Sequence, residues 1–171
     1  MKKVISLIIV LFISVSSLSL TMTAAKETGD FVCGIWKYSV YPDHVTITGV
    51  TTPVSGKIEI PAELDGHKID YVTINDFKKN DQITEAVIGE GIEYIASSIF
   101  TGCKNLKKVT LPSTLKRISC DAFLNCISLT DINIPDSLIY VEPDLFSGCT
   151  ALKEIKLPET WSEVDMRLFK G

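Results

Sequence analysis

The chain is 171 residues long, 46% hydrophobic and 22% charged, the composition of a folded protein with room for one domain or two small ones. Lys and Arg number 17 against 21 Asp and Glu, a net charge of −4, so the basic excess that neutralises a phosphate backbone is missing and a nucleic-acid partner is not expected. Five cysteines, an odd number with no CxxC pair, prevent a fully paired disulfide set and speak against zinc-ribbon or thioredoxin-like chemistry.

Lys2 and Lys3 precede an uncharged apolar and serine stretch from Val4 to Leu20, followed by small residues at Thr23, Ala24 and Ala25. This is the order of a secretory signal, which predicts residues 1–25 as a signal peptide cleaved after Ala25. The competing reading is an uncleaved anchor. At 17 residues, and diluted by serines, the stretch is short of the roughly 20 that a membrane-spanning helix needs. Cleavage takes the net charge from −4 to −6 and predicts an acidic secreted or cell-surface product, with no membrane span after the signal.

Residues 26–54 form the next unit. Two alternating runs, Ile35–Val40 and Val45–Val50, flank a Tyr41-Pro42-Asp43-His44 turn and predict a β-hairpin cap over the open edge of whatever follows.

From 55 to 171 a period of 23 residues governs the chain. Phe77, Phe100, Phe123, Phe146 and Phe169 recur without a gap, and Cys103, Cys126 and Cys149 each follow three residues after one of them. Units beginning at Ile83, Leu106, Leu129 and Leu152 place Ala86, Val109, Ile132 and Ile155 at one shared position and Ile88, Leu111, Ile134 and Leu157 at the next. A spacing of two predicts a short strand, ended by Pro112, Pro135 or Pro158, with Gly89 in that place in the first unit. Leu115–Ile118 reads as a second extended stretch, and Asp121–Cys126 as a turn of helix or 3₁₀. An upstream unit, Ile58, Ile60, Pro61 and Leu64 with Val72 and Phe77, carries an insertion around Asp65-Gly66-His67-Lys68 and has Asn80 at the cysteine position. About five coils result, none able to bury its apolar side alone, so the fold class is a repeat solenoid of short parallel strands.

The unit, seen most fully in Leu106 to Ser128, resembles the leucine-rich repeat of the BspA-like, or Treponema pallidum-type, class. The stretch from Trp36 through Gly49 to Ile69 is similar to the lead-in often found before such repeats. The resemblance implies a secreted or surface protein, in several relatives an adhesin, and it brings no family-wide catalytic site. The departures are Asn80 for cysteine, Gly89 for proline and Trp161 for leucine.

Chemistry is sparse. His44 and His67 are the only histidines and lack ligand-spaced neighbours, so neither a metal nor a cofactor is expected. Cys103, Cys126 and Cys149 sit at a repeated core position and read as buried free thiols, while Cys33 and Cys120 are singletons. One outward row stands out. Tyr71, Tyr94, Arg117, Tyr140 and Glu163 lie 23 residues apart between buried neighbours, predicting a stacked line of side chains rich in binding hot-spot types. The competing reading is a cation–π ladder, Arg117 between two tyrosines, that only stiffens the sheet. A second row, Val87, Thr110, Asn133 and Lys156, reads as solvated strand surface. The expected function is non-enzymatic binding of an extracellular protein or glycan. The alternative is a secreted scaffold or accessory protein that self-associates through its C-terminal coil.

Overall fold

The protein is described by a computed structural model over residues 28–142 and 144–158. The signal stretch 1–25, and Trp161, Glu163 and Phe169 of the last unit, lie outside the described residues.

The described chain opens with three antiparallel strands, β1 (Gly29–Cys33), β2 (Trp36–Val40) and β3 (Val45–Val50). The hairpin read from the sequence is the β2–β3 pair. Strand β1 folds back along β2 through a two-residue connection whose Gly34 takes a φ of 60°. Alternating residues Tyr38, Val40, Val45 and Ile47 turn inward and are almost completely buried.

The coils follow as β4 (Gly56–Ile60), a small antiparallel pair β5 (Glu63–Leu64) and β6 (His67–Lys68), then β7 (Tyr71–Val72), β8 (Ile83–Ile88), β9 (Tyr94–Ile95), β10 (Lys108–Thr110), β11 (Arg117–Ile118), β12 (Asp131–Ile132) and β13 (Tyr140–Val141). The β5–β6 pair is the insertion located in the sequence, and the Tyr38 hydroxyl donates to Asp65 between these strands at 3.0 Å, clasping cap to coil. First stretches of successive coils stack as a four-stranded parallel sheet ordered β12-β10-β8-β4. Second stretches extend the cap into a seven-stranded sheet ordered β1-β2-β3-β7-β9-β11-β13. Pairing keeps the 23-residue register: Val109 lies beside Ala86 and Ile132, and Arg117 beside Tyr94 and Tyr140.

Between the sheets runs one apolar core. Phe77, Phe100, Phe123 and Phe146 stack with centroids 5.8 Å apart at each step, and the first three are fully buried. A repeat that places one ring per coil must stack rings along the solenoid, and each contact adds about 0.5–1.5 kcal/mol beyond area burial.

The segment before each cysteine is compact, as expected, and is built of turns. No helix occurs among the described residues; the segment is a succession of tight turns closed by bonds such as Leu124 N–H to Asp121 C=O (3.1 Å) and Cys126 N–H to Phe123 C=O (3.1 Å). The reason is periodic too. Lys79, Gly102, Asn125 and Gly148 all have φ between 59° and 74°, as do Ser98, Asp121 and Asp144 between 58° and 63°. Two left-handed residues four positions apart stop a right-handed helix before it can propagate.

The cysteine row is explained by its hydrogen bonds. The thiols of Cys103, Cys126 and Cys149 donate to the carbonyls of Phe77, Phe100 and Phe123 at 3.0, 3.1 and 3.1 Å. Each ties its coil to the one before. Asn80 performs the same task through its amide, which donates to Val54 C=O at 3.0 Å. All five cysteines are free, the three in the row buried. Burial pushes the thiols of Cys103 and Cys149 up to about 11 and that of Cys126 higher still. Thiol alkylation at neutral pH is therefore expected to modify Cys33 and Cys120, which are partly exposed, and to reach the other three only after denaturation. Mass spectrometry of native and unfolded samples reads this directly, and rapid native labelling of the row would contradict it.

Candidate binding face

The predicted row is assembled on the outer face of the seven-stranded sheet. Tyr71 pairs with Tyr94, Tyr94 with Arg117 and Arg117 with Tyr140, so these four side chains stand in one line about 4.8 Å from strand to strand. Tyr71 and Tyr94 have ring centroids 5.2 Å apart. The Arg117 guanidinium lies between two rings, 5.7 Å from the centroid of Tyr94 and 4.8 Å from that of Tyr140. Glu163 lies outside the described residues.

The line is longer than the repeat alone predicts. His44 stacks on Tyr41 at 4.6 Å and meets Tyr71 edge-on at 4.7 Å. Thr46 pairs with Tyr71, and residues two apart share a face, so His44 falls beside the row. Alternation across the cap was the available signal; it was missed because His44 sits in the turn rather than in a repeat. Beyond Thr46 the row continues through Ser39 and Asp30, which are bonded to each other at 2.5 Å. An open groove of about 460 Å³ is lined there by Asp30, Val32, Lys37, Ser39 and Thr48.

A second row, Thr73, Ala96, Ser119 and Glu142, runs alongside. The Tyr94 hydroxyl and Ser119 Oγ are 2.7 Å apart. Glu142 is the hub: Oε1 accepts from Arg117 Nη2 at 2.7 Å and Oε2 from the Cys120 N–H at 3.1 Å. The bond from Arg117 holds the Glu142 carboxyl below the ordinary carboxylate range, and the same bond raises the guanidinium. At the start of the last described rung Ile139 is 80% exposed and Tyr140 52%, and in the cap Val32 is 59% exposed.

The other sheet presents a different surface. Lys57, Glu85, Lys108 and Asp131 occupy one line of alternating charge, with Lys108 and Asp131 joined at 2.8 Å. In the neighbouring line, Asn133 stitches two coils by bonding both Leu111 N–H (2.8 Å) and Leu111 C=O (2.9 Å). Val87 and Thr110 of that line are half-buried and Lys156 is exposed.

The structure also brings Cys33, Asp65 and His67 into one neighbourhood. The ring of His67 lies 6.3 Å from Phe31 and 6.0 Å from Tyr38. A nucleophilic cysteine needs a lowered pKa, whereas the hydrogen bond to the Asp65 carboxylate, with burial, raises that of Cys33. No group of three metal-ligating side chains occurs among the described residues.

The BspA type leucine-rich repeat region matches residues 71–171 in six copies. The chain belongs to that family. No curated protein matches it. The fold of this BspA-type chain is similar to a solved leucine-rich repeat protein of T. pallidum, with a TM-score of 0.68 and 28% identity over 72% of this chain and 58% of that one. It is similar also to a leucine rich cell surface protein of Faecalibacterium prausnitzii A2-165, with a TM-score of 0.69 and 27% identity over 78% and 38%. A leucine-rich repeat protein of Bacteroides capillosus, 21% identical, shares the fold over 74% of this chain and 96% of its own, with a TM-score of 0.63. The BspA-type chain thus spans less than two thirds of the first two.

Proposed function

We propose that the protein is a secreted or cell-surface binding module, without enzymatic activity, whose aromatic row on the seven-stranded sheet docks an extracellular protein or glycan. The single observation that carries this reading is the unbroken line Tyr41, His44, Tyr71, Tyr94, Arg117 and Tyr140 on a rigid stacked scaffold. Tyr and Arg are the types enriched in interface hot spots, and solenoids use extended faces of this kind for binding. The cell-surface description of the Faecalibacterium prausnitzii relative supports the location. Adhesion to host cells or matrix is the form of binding this reading favours.

The test is a binding screen of residues 26–171 against extracellular-matrix proteins, cells and glycans, beside the variant Tyr94→Ala, Arg117→Ala, Tyr140→Ala. Loss of roughly 2–4 kcal/mol, at least thirtyfold in affinity, is expected from removing three central hot-spot side chains. Unchanged affinity would remove the row from the binding face.

A further inference from the structure

The cap carries a second feature at the end of the row, and it does not depend on Tyr94, Arg117 and Tyr140 binding anything. Tyr41 is the terminal ring. His44 stacks on one of its faces at an interplanar angle of 16°, no other ring covers the opposite face among the described residues, and the side chain is 44% exposed. Beside it, where β1 and β2 lie together, an open groove of about 320 Å³ is lined by Thr28, Asp30, Ser39, Tyr41 and Pro42. The groove of about 460 Å³ that reaches Val32, Lys37 and Thr48 shares Asp30 and Ser39 with it. The two make one cleft across the outer face of the cap, with Tyr41 at one end and Lys37 toward the other.

The polar groups of this cleft are few and fixed. Ser39 Oγ donates to Asp30 Oδ1 at 2.5 Å, which orients the carboxylate and leaves Oδ2 to accept from a ligand. Lys37 enters no ion pair among the described residues and stands about 7 Å from Ser39 along β2. One carboxylate and one ammonium cancel in net charge. A cation drawn to Asp30 also meets Lys37, and an anion drawn to Lys37 also meets Asp30, so the cleft complements a ligand of neither charge. The ring face of Tyr41 is the negative side of an aromatic quadrupole and attracts weakly positive C–H groups. A sugar carries such C–H groups on one face and hydroxyls around its rim that both donate and accept. It is the ligand that uses a ring face, an acceptor and a donor together, and each groove is large enough for a small ligand.

We propose that the cap cleft is a carbohydrate site, in which one ring of a neutral oligosaccharide lies on the free face of Tyr41 and donates a hydroxyl to Asp30, while a following sugar accepts from Lys37.

The test probes residues 26–171 on an array of neutral and sulfated glycans and measures the hits by titration in solution. The arms are wild type, Tyr41→Ala, Tyr41→Phe, Asp30→Ala and the Tyr94→Ala, Arg117→Ala, Tyr140→Ala variant, with thermal unfolding confirming that each is folded. Neutral glycans are expected to bind, with affinity changing less than about twofold between low and high salt. Affinity should fall at least about tenfold in Tyr41→Ala and in Asp30→Ala. Tyr41→Phe, which keeps the ring face, and the triple variant should both stay within about twofold of wild type. Absence of any glycan ligand would overturn the proposal, as would sulfated glycans alone with steep salt dependence. Glycans that bind Tyr41→Ala as well as wild type would overturn it too. Were they lost in the triple variant instead, the cap site would fall while the row stood as the binding face.

Discussion

Replacing Phe100 by alanine is expected to destabilise the protein by about 3–5 kcal/mol, the range for emptying a large aromatic site in a packed core. Phe100 is fully buried and stacks on both Phe77 and Phe123 at 5.8 Å. Its removal interrupts the ring column at an interior coil, so the loss falls on the contact between neighbouring coils as well as within one. In a solenoid, stability is close to a sum of coil terms and nearest-neighbour terms, and a weakened joint uncouples the two sides. Urea unfolding followed by Trp fluorescence and far-UV circular dichroism should give a lower midpoint and separated transitions by the two probes. A loss below about 1 kcal/mol would mean that the ring column is not what holds the coils together.

The second large effect runs against the family's own consensus. Gly89 stands where later units have Pro112, Pro135 and Pro158, and Gly89→Pro would appear to repair the repeat. It is expected instead to cost about 2–3 kcal/mol. The Gly89 N–H donates to Ile60 C=O at 2.9 Å, a bond that proline cannot make. A Cβ at this position would lie 2.6 Å from Ala62 N and 2.9 Å from Ile60 O, so the ring has no room. The first full unit differs because it packs on the coil that carries the β5–β6 insertion, which brings Ala62 against the corner. Thermal unfolding of Gly89→Pro beside Gly89→Ala separates the causes: both meet the steric clash, and only proline also loses the hydrogen bond. A proline variant as stable as wild type would contradict this account of the corner.

Much of the fold was legible because it is written 23 residues apart. The position of Phe77, Phe100, Phe123 and Phe146 fixes one ring per coil, and the parallel register of Arg117 with Tyr94 and Tyr140 follows from that spacing alone. Asn80 could be placed in the cysteine row from its position, and its bond to Val54 C=O gives the reason that it serves there. What periodicity could not reveal lies outside the repeat or in backbone conformation. Strand β1 pairs through Gly29–Cys33, a segment with only one charged residue and no clear alternation, so its strand character is decided by β2 beside it. The compact look of Asp121-Ala122-Phe123-Leu124-Asn125 suits a turn of helix or 3₁₀, and does not by itself tell either from a tight turn. The left-handed φ of Asp121 and Asn125 is a property that Asp and Asn tolerate but do not announce.

The candidate face divides the same way. Tyr71, Tyr94, Arg117 and Tyr140 were located by counting. His44 and Tyr41 joined them only through the fold of the cap. Glu142, which anchors Arg117, lies 25 residues from it, one coil plus two positions, a relation visible only when the next coil is laid beside the first. That pairing pre-orders the row, with Arg117 bonded to Glu142 and held between the rings of Tyr94 and Tyr140.

Hydroxyl-radical footprinting of the protein, free and bound to a ligand recovered in the binding screen, tests the central claim most directly. Oxidation read by mass spectrometry should fall severalfold at Tyr71, Tyr94 and Tyr140 on binding, with Lys57, Lys108 and Val87 of the opposite sheet unchanged. Protection confined to the opposite sheet, with the three tyrosines still oxidised at the free rate, would contradict it.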